Sequence, residues 1–186
     1  MKKQLNIAVR VTIVTTILFG LIYPLTVTAL SQLLFPRQAN GSLIRKNNEV
    51  IGSELLGQTF SDPKYFHSRP SSAGTGYDAG QSSGSNLAPT NHQLVDRIAS
   101  AAAKLSAENP SAPIPIDLLT SSGSGLDPDI TPATAQFQVR RISQTRHIPE
   151  SDLRALIDQH IRQRQLSILG EPRVNVMELN AALDAR

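Results

Sequence analysis

Residues 11 to 35 run for 25 positions without a charge, between Arg10 and Arg37, and no later stretch repeats that pattern. At a rise of about 1.5 Å per residue, about 20 apolar residues cross the hydrocarbon core of a bilayer, so this run predicts a transmembrane helix with length left for tilt. Beyond Pro36 the pattern changes to short elements. Val50-Ile51 predicts a strand after a turn at residues 38 to 42, and Leu94, Ile98, Ala101, Ala102 and Leu105 recur at helical spacing over residues 90 to 108, where Asn109-Pro110 stops them. Ile114 to Leu119 reads as a short strand after three closely spaced prolines. Thr131 with Pro132 caps a helix running to Arg146, and Pro149 opens another with Leu153, Leu156, Ile157 and Ile161 on one face. Val174 to Val176 is strand-like, and Asn175 with Glu178 makes a capping-box start for a last helix ending at Asp184. The expected fold is α+β: one N-terminal transmembrane helix followed by a single mixed α/β soluble domain, with a tail at 1–10, the span at 11–35 and the domain at 36–186.

The apolar run has a rival reading as a cleaved signal peptide. Lys2, Lys3 and Arg10 form a basic start, and Val27-Thr28-Ala29 resembles a cleavage site. Leu30, Leu33, Leu34 and Phe35 continue the run past that point, which favours a retained anchor. Stepping by four gives Thr12, Thr16, Gly20, Pro24 and Thr28, a winding ridge without bulky hydrophobes that lets a partner helix approach closely. Pro24 has no amide hydrogen for the carbonyl of Gly20, so a kink is expected there. Basic residues tie in number on the two sides, with Arg37, Arg45 and Lys46 following the span. Arg10 against the apolar edge leans towards an amino terminus inside and a domain outside.

The formal net charge of +3 misleads, because Lys2, Lys3 and Arg10 supply all of it. The domain is formally neutral and has no basic surplus to drive nucleic-acid binding. Arg140, Arg141 and Arg146 form its one basic cluster, and on a helix such a cluster reads as a solvated face. The absence of cysteine removes disulfides and Cys-based metal sites and fits either side of a membrane. His67, His92, His147 and His160 lack zinc-ligand spacing. Four of the domain's five aromatics fall between Phe60 and Tyr77, which suggests a local mini-core. From Ser68 to Asn91 the chain is rich in Gly, Ser and Pro, an irregular exposed loop of the length that is usually functional or disordered. Residues 82–89 and 121–128 agree at six of eight positions, each ahead of a helix. They read as two similar turns leading into helices, or as amide-rich turns meeting a partner or an anion.

Chemistry for catalysis is missing. No phosphate loop of the GxxxxGK[ST] type exists, and Ser61-Asp62-Pro63-Lys64 is a lone SxxK without its companion motifs. No spacing singles out a triad. Catalytic residues, cofactor-binding residues and metal ligands are therefore expected to be absent. The alternatives to a non-catalytic subunit are a membrane-anchored or secreted serine hydrolase, or a surface-binding module.

Several segments in one order carry a resemblance. They are Tyr23-Pro24-Leu25; residues 35–44, FPRQANGSLI; Gly57-Gln58 with Phe60; residues 65–71, YFHSRPS; residues 83–87, SGSNL; Ser124-Gly125-Leu126-Asp127; Ile130-Thr131-Pro132; Gln138-Val139 with Arg141; residues 170–176, GEPRVNV; and Glu178-Leu179-Asn180. The chain resembles the C subunit of Kdp-type potassium-transporting P-type ATPases along nearly its whole length. The resemblance implies an accessory subunit of a prokaryotic high-affinity potassium uptake complex in the plasma membrane, single-pass, with its soluble domain extracytoplasmic. Its implied partners are a channel-like potassium-binding subunit and a P-type ATPase subunit, and ATP, Mg and potassium are handled by the complex. Also implied are a role in assembly and one as a catalytic chaperone that raises the ATP affinity of the ATPase subunit. Because the chain has no nucleotide loop, such an effect is expected to be indirect. The ridge Thr12, Thr16, Gly20, Pro24 and Thr28 is the expected transmembrane interface. Phe66, Arg69, Ser83, Gly84 and Asn86 are the expected soluble contact with the channel-like subunit.

Overall fold

A computed structural model describes residues 1–46 and 48–186, which form two compact units, Met1–Ile51 and Gly52–Arg186. The first is dominated by one unbroken apolar helix, Lys2–Leu34, of 33 residues. It comprises α1 (Lys2–Ile17), a π-helical turn (Leu18–Ile22) and α2 (Tyr23–Leu34). Helical hydrogen bonding does not require apolar side chains, so the helix starts nine residues before the expected span and includes Lys2, Lys3 and Arg10. At about 1.5 Å per residue it is about 50 Å long, more than a hydrocarbon core needs. A short helix α3 (Pro36–Ala39) follows. Then come strands β1 (Leu43–Lys46) and β2 (Glu49–Ser53), which pair as a two-stranded sheet.

The second unit is built on a three-stranded antiparallel sheet in the order β3 (Asp129–Ile130), β5 (Arg173–Asn175), β4 (Ile161–Arg162). Val174 sits in the middle, opposite Ile130 on one side and Ile161 on the other. Three helices pack around it: α5 (Pro132–Arg146), α6 (Glu150–His160) and α7 (Val176–Asp184). Their apolar faces supply the core: Ala135, Val139 and Ile142 from α5, Leu153, Leu156 and Ile157 from α6, and Leu179 and Leu183 from α7, joined by Val174, Val176 and Phe66. The architecture is α+β, as the sequence pattern indicates.

The helix ends follow local chemistry. Thr131 Oγ1 accepts the Thr134 amide at 3.3 Å with Pro132 in the first position, and α5 stops where His147 turns left-handed (φ 57°). Asn175 Oδ1 accepts the Glu178 amide at 3.1 Å and starts α7. Helix α4 (His92–Glu108) is capped by Asn91, but none of its residues is buried, so its Leu94, Ile98 and Leu105 stripe is only half covered. One expected element does not form, and Ile161, expected on the α6 face, begins β4 instead. Ile114 to Leu119 forms no strand but a 3₁₀ turn, Ile116–Leu118. Pro113 and Pro115 cannot donate to a ladder, and Asp117 is recruited instead, its Oδ2 accepting the Thr131 amide at 2.9 Å and the Thr134 hydroxyl at 3.1 Å.

Candidate functional site

Along the apolar helix, Thr12, Thr16, Gly20, Pro24 and Thr28 are all exposed. A Cβ placed on Gly20 would have one near neighbour, Thr16 Cγ2 at 3.8 Å, so a second backbone has open access there. Where a kink is expected at Pro24, the helix carries a π turn just ahead of the proline. The Tyr23 amide donates to the Leu18 carbonyl, five residues back, and the widened turn accommodates a proline that has no N–H to offer. The helix continues through it.

In the second unit the residues 63–67 are held by side chains rather than by a strand. Asn180 Oδ1 accepts the Phe66 amide at 2.9 Å and its Nδ2 donates to the Phe66 carbonyl at 2.9 Å. One residue on, Gln138 Oε1 accepts the His67 amide at 2.8 Å and Nε2 donates to the His67 carbonyl at 3.1 Å. Arg141 adds bonds to the Pro63 carbonyl, to the Tyr65 carbonyl at 2.9 Å, to Gln138 Oε1 at 2.6 Å and to Glu108 Oε1 at 2.9 Å. Arg146 donates to the Lys64 carbonyl at 2.9 Å and to Asp184 at 2.6 Å, and its guanidinium lies 5.0 Å from the Tyr65 ring. Arg141 and Arg146 are thus not the solvated face that their clustering suggests, having side chains only 12% and 17% exposed. The aromatic mini-core is real: Phe60 and Tyr65 rings meet at 5.6 Å, and Phe66 joins the main core. That placement corrects one expected contact residue. Phe66 is 0% exposed and offers a partner no surface.

The Gly/Ser/Pro-rich loop is irregular, as expected, but it is half-buried rather than a free excursion. The two similar octapeptides lead into neither helix, since Asn91 and Thr131 cap those. They pack on each other. The Ser83 amide donates to the Ser124 carbonyl at 2.9 Å, and the Ser82 hydroxyl to the same oxygen at 3.0 Å. Gly125 (φ +68°) makes this possible, because a Cβ there would lie 2.6 Å from the Ser83 carbonyl oxygen and 2.7 Å from the Ala73 nitrogen. Ser71 Oγ donates to the Gly125 carbonyl at 2.6 Å and accepts the Tyr77 amide at 2.8 Å. Arg69 pairs with Asp127 at 3.2 Å. Ser83 and Gly84 are brought to this zipped surface, and Asn86, two residues on, is exposed and left-handed at φ 51°. Arg69 opens onto a cavity of about 340 Å³ that Asp117, Asp127, Asp129, Glu171 and Arg173 also line.

The cavity lining carries four carboxylates against two guanidiniums. Burial pushes the Asp129 carboxyl up, opposed by Arg173 at 2.9 Å, with the Asp127 charge pushing further up. Burial pushes Asp117 up as well, but the Thr131 and Thr134 hydrogen bonds outweigh it and hold it below the usual carboxylate range. Among the described residues no group of three or more His, Asp or Glu is arranged to hold a metal ion. In the SxxK segment, Lys64 Nζ is paired with Asp62 at 3.1 Å. A feature that the pattern does not reveal is the tip between β4 and β5, where Leu166, Ile168 and Leu169 are 83%, 75% and 53% exposed.

A family model described as the c chain of the K+-transporting ATPase, KdpC, matches residues 5–185. The chain belongs to the KdpC family. A protein of Koribacter versatilis named Potassium-transporting ATPase KdpC subunit is 53% identical over 184 residues, covering 99% of this chain and 95% of that protein. Proteins of the same name from Acidobacterium capsulatum and Caulobacter vibrioides strain NA1000 are 56% and 57% identical, covering 97% and 92% of this chain and 97% and 87% of theirs. A KdpC-family chain with an apolar helix of this length is a transport-ATPase subunit with a candidate transmembrane anchor.

Proposed function

We propose that this chain is the accessory subunit of an ATP-driven, high-affinity potassium uptake complex. Residues 11–35 span the plasma membrane, 1–10 stay in the cytoplasm, and 36–186 fold outside. The ridge Thr12, Thr16, Gly20, Pro24 and Thr28 docks on a helix of a partner subunit. Arg69, Ser83, Gly84 and Asn86 contact the channel-like subunit that carries potassium. The chain is required for assembly with that subunit and with the P-type ATPase subunit. It also acts as a catalytic chaperone, raising ATP affinity by stabilising the nucleotide-binding conformation of its partner through linkage. The observation that carries the reading is a KdpC-family match running from residue 5 to residue 185, which takes in all but the first three residues of the apolar helix.

The chain has no cysteine, so one introduced at exposed Thr75 reports topology. Thr75→Cys should react with a membrane-impermeant maleimide on intact spheroplasts. Reaction only after lysis would place the domain in the cytoplasm and overturn the indirect mechanism.

A further inference from the structure

The π turn leaves an acceptor problem in the middle of the apolar helix. In a regular α-helix the Phe19 carbonyl takes the amide of residue 23 and the Gly20 carbonyl that of residue 24. Here the Tyr23 amide goes to Leu18 instead, and residue 24 is proline. The next amide, that of Leu25, belongs by helical spacing to Leu21. Hydroxyls three or four residues ahead often serve such carbonyls, but those positions hold Ile22, Tyr23 and Pro24, and Thr15, which does bond backwards, serves Val11 and Thr12. Phe19 and Gly20 are both exposed, and Gly20 has no side chain to cover the carbonyls.

Water can meet such groups on a soluble helix, but hydrocarbon cannot, and an unmet backbone carbonyl in lipid is costly. We propose that the Leu18–Pro24 turn is a polar docking point within the membrane. Its Phe19 and Gly20 carbonyls accept hydrogen bonds from an O–H or N–H side chain (Ser, Thr, Asn or Gln) on a partner-subunit helix seated against Gly20. The small ridge gives close approach, and the two carbonyls set depth and rotation, which an apolar ridge alone does not fix. This inference rests on the reading of the helix as a membrane span docked on a partner.

Three variants of the full chain, each expressed with the intact transporter, test it. Gly20→Leu blocks close approach. Pro24→Ala returns the missing amide to Gly20, and Ile22→Thr keeps the proline while placing a hydroxyl within reach of the Phe19 carbonyl. The readout is the fraction of each variant retained on the transporter during detergent washing. Each of the last two should be retained about three- to tenfold less well than the wild type, the range for one interhelical hydrogen bond. Wild-type retention of both, with loss of Gly20→Leu, would overturn the docking point while leaving the ridge interface standing. Wild-type retention of Gly20→Leu would instead remove the ridge reading itself.

Discussion

Gln138 and Asn180 each use both ends of an amide on one stretch of backbone, and together they replace the strand that Phe66 and His67 lack. Both side chains are almost fully buried, so each lost bond leaves a desolvated partner behind. Gln138→Leu should therefore cost about 2–4 kcal/mol of stability, read as a lower denaturation midpoint of the full chain in detergent. His67 makes the same segment sensitive to pH. Burial, then the nearby Arg141 guanidinium, hold its imidazole below the usual histidine value. The unfolded chain then takes a proton before the folded one does, so stability is complete above the ordinary value of 6.5 and declines as pH falls below it. His67→Gln should flatten that decline in denaturation midpoints measured from pH 8 to pH 5. Neither amide clamp was legible as such in the sequence. Gln138 does interrupt an apolar stripe of Ala135, Val139 and Ile142, and a polar residue on a core face was the available signal, but its partner lies 71 positions away.

At the scale of elements, the local rules held where one residue and its neighbours decide the outcome. Thr131-Pro132 and Asn175 start helices for reasons contained within four residues. They failed where distant segments compete. The 114–119 stretch has strand-like side chains, yet prolines at 113 and 115 and the demand of the α5 start for a carboxylate make it a 3₁₀ turn. The repeated Ser/Gly octapeptides look like two independent turns, and only the fold shows that they form one zipped surface. Gly125 is the point on which that surface depends. Gly125→Ala would bring a methyl group to within 2.6 Å of a carbonyl oxygen at a backbone angle that disfavours side chains. It should cost about 2–4 kcal/mol, checked by denaturant unfolding, and should raise protease sensitivity between residues 71 and 91.

For the whole molecule, the class of protein was legible from one uncharged run and a set of ordered segments, because hydrophobic length is a physical requirement that tertiary context does not override. Which faces meet partners was not legible in the same way. Phe66 looked like a contact residue and proved to be core, while the Leu166, Ile168 and Leu169 tip showed itself only through its exposure. These scales meet in the proposal that a retained apolar helix seats a folded head on a larger transport ATPase. Native mass spectrometry of the affinity-tagged chain, extracted gently from membranes under potassium limitation, tests it most directly. The expected result is a chain that keeps residues 1 to 35 and travels with two larger membrane proteins, one binding potassium and one hydrolysing ATP. A free monomer beginning near Leu30 would contradict it.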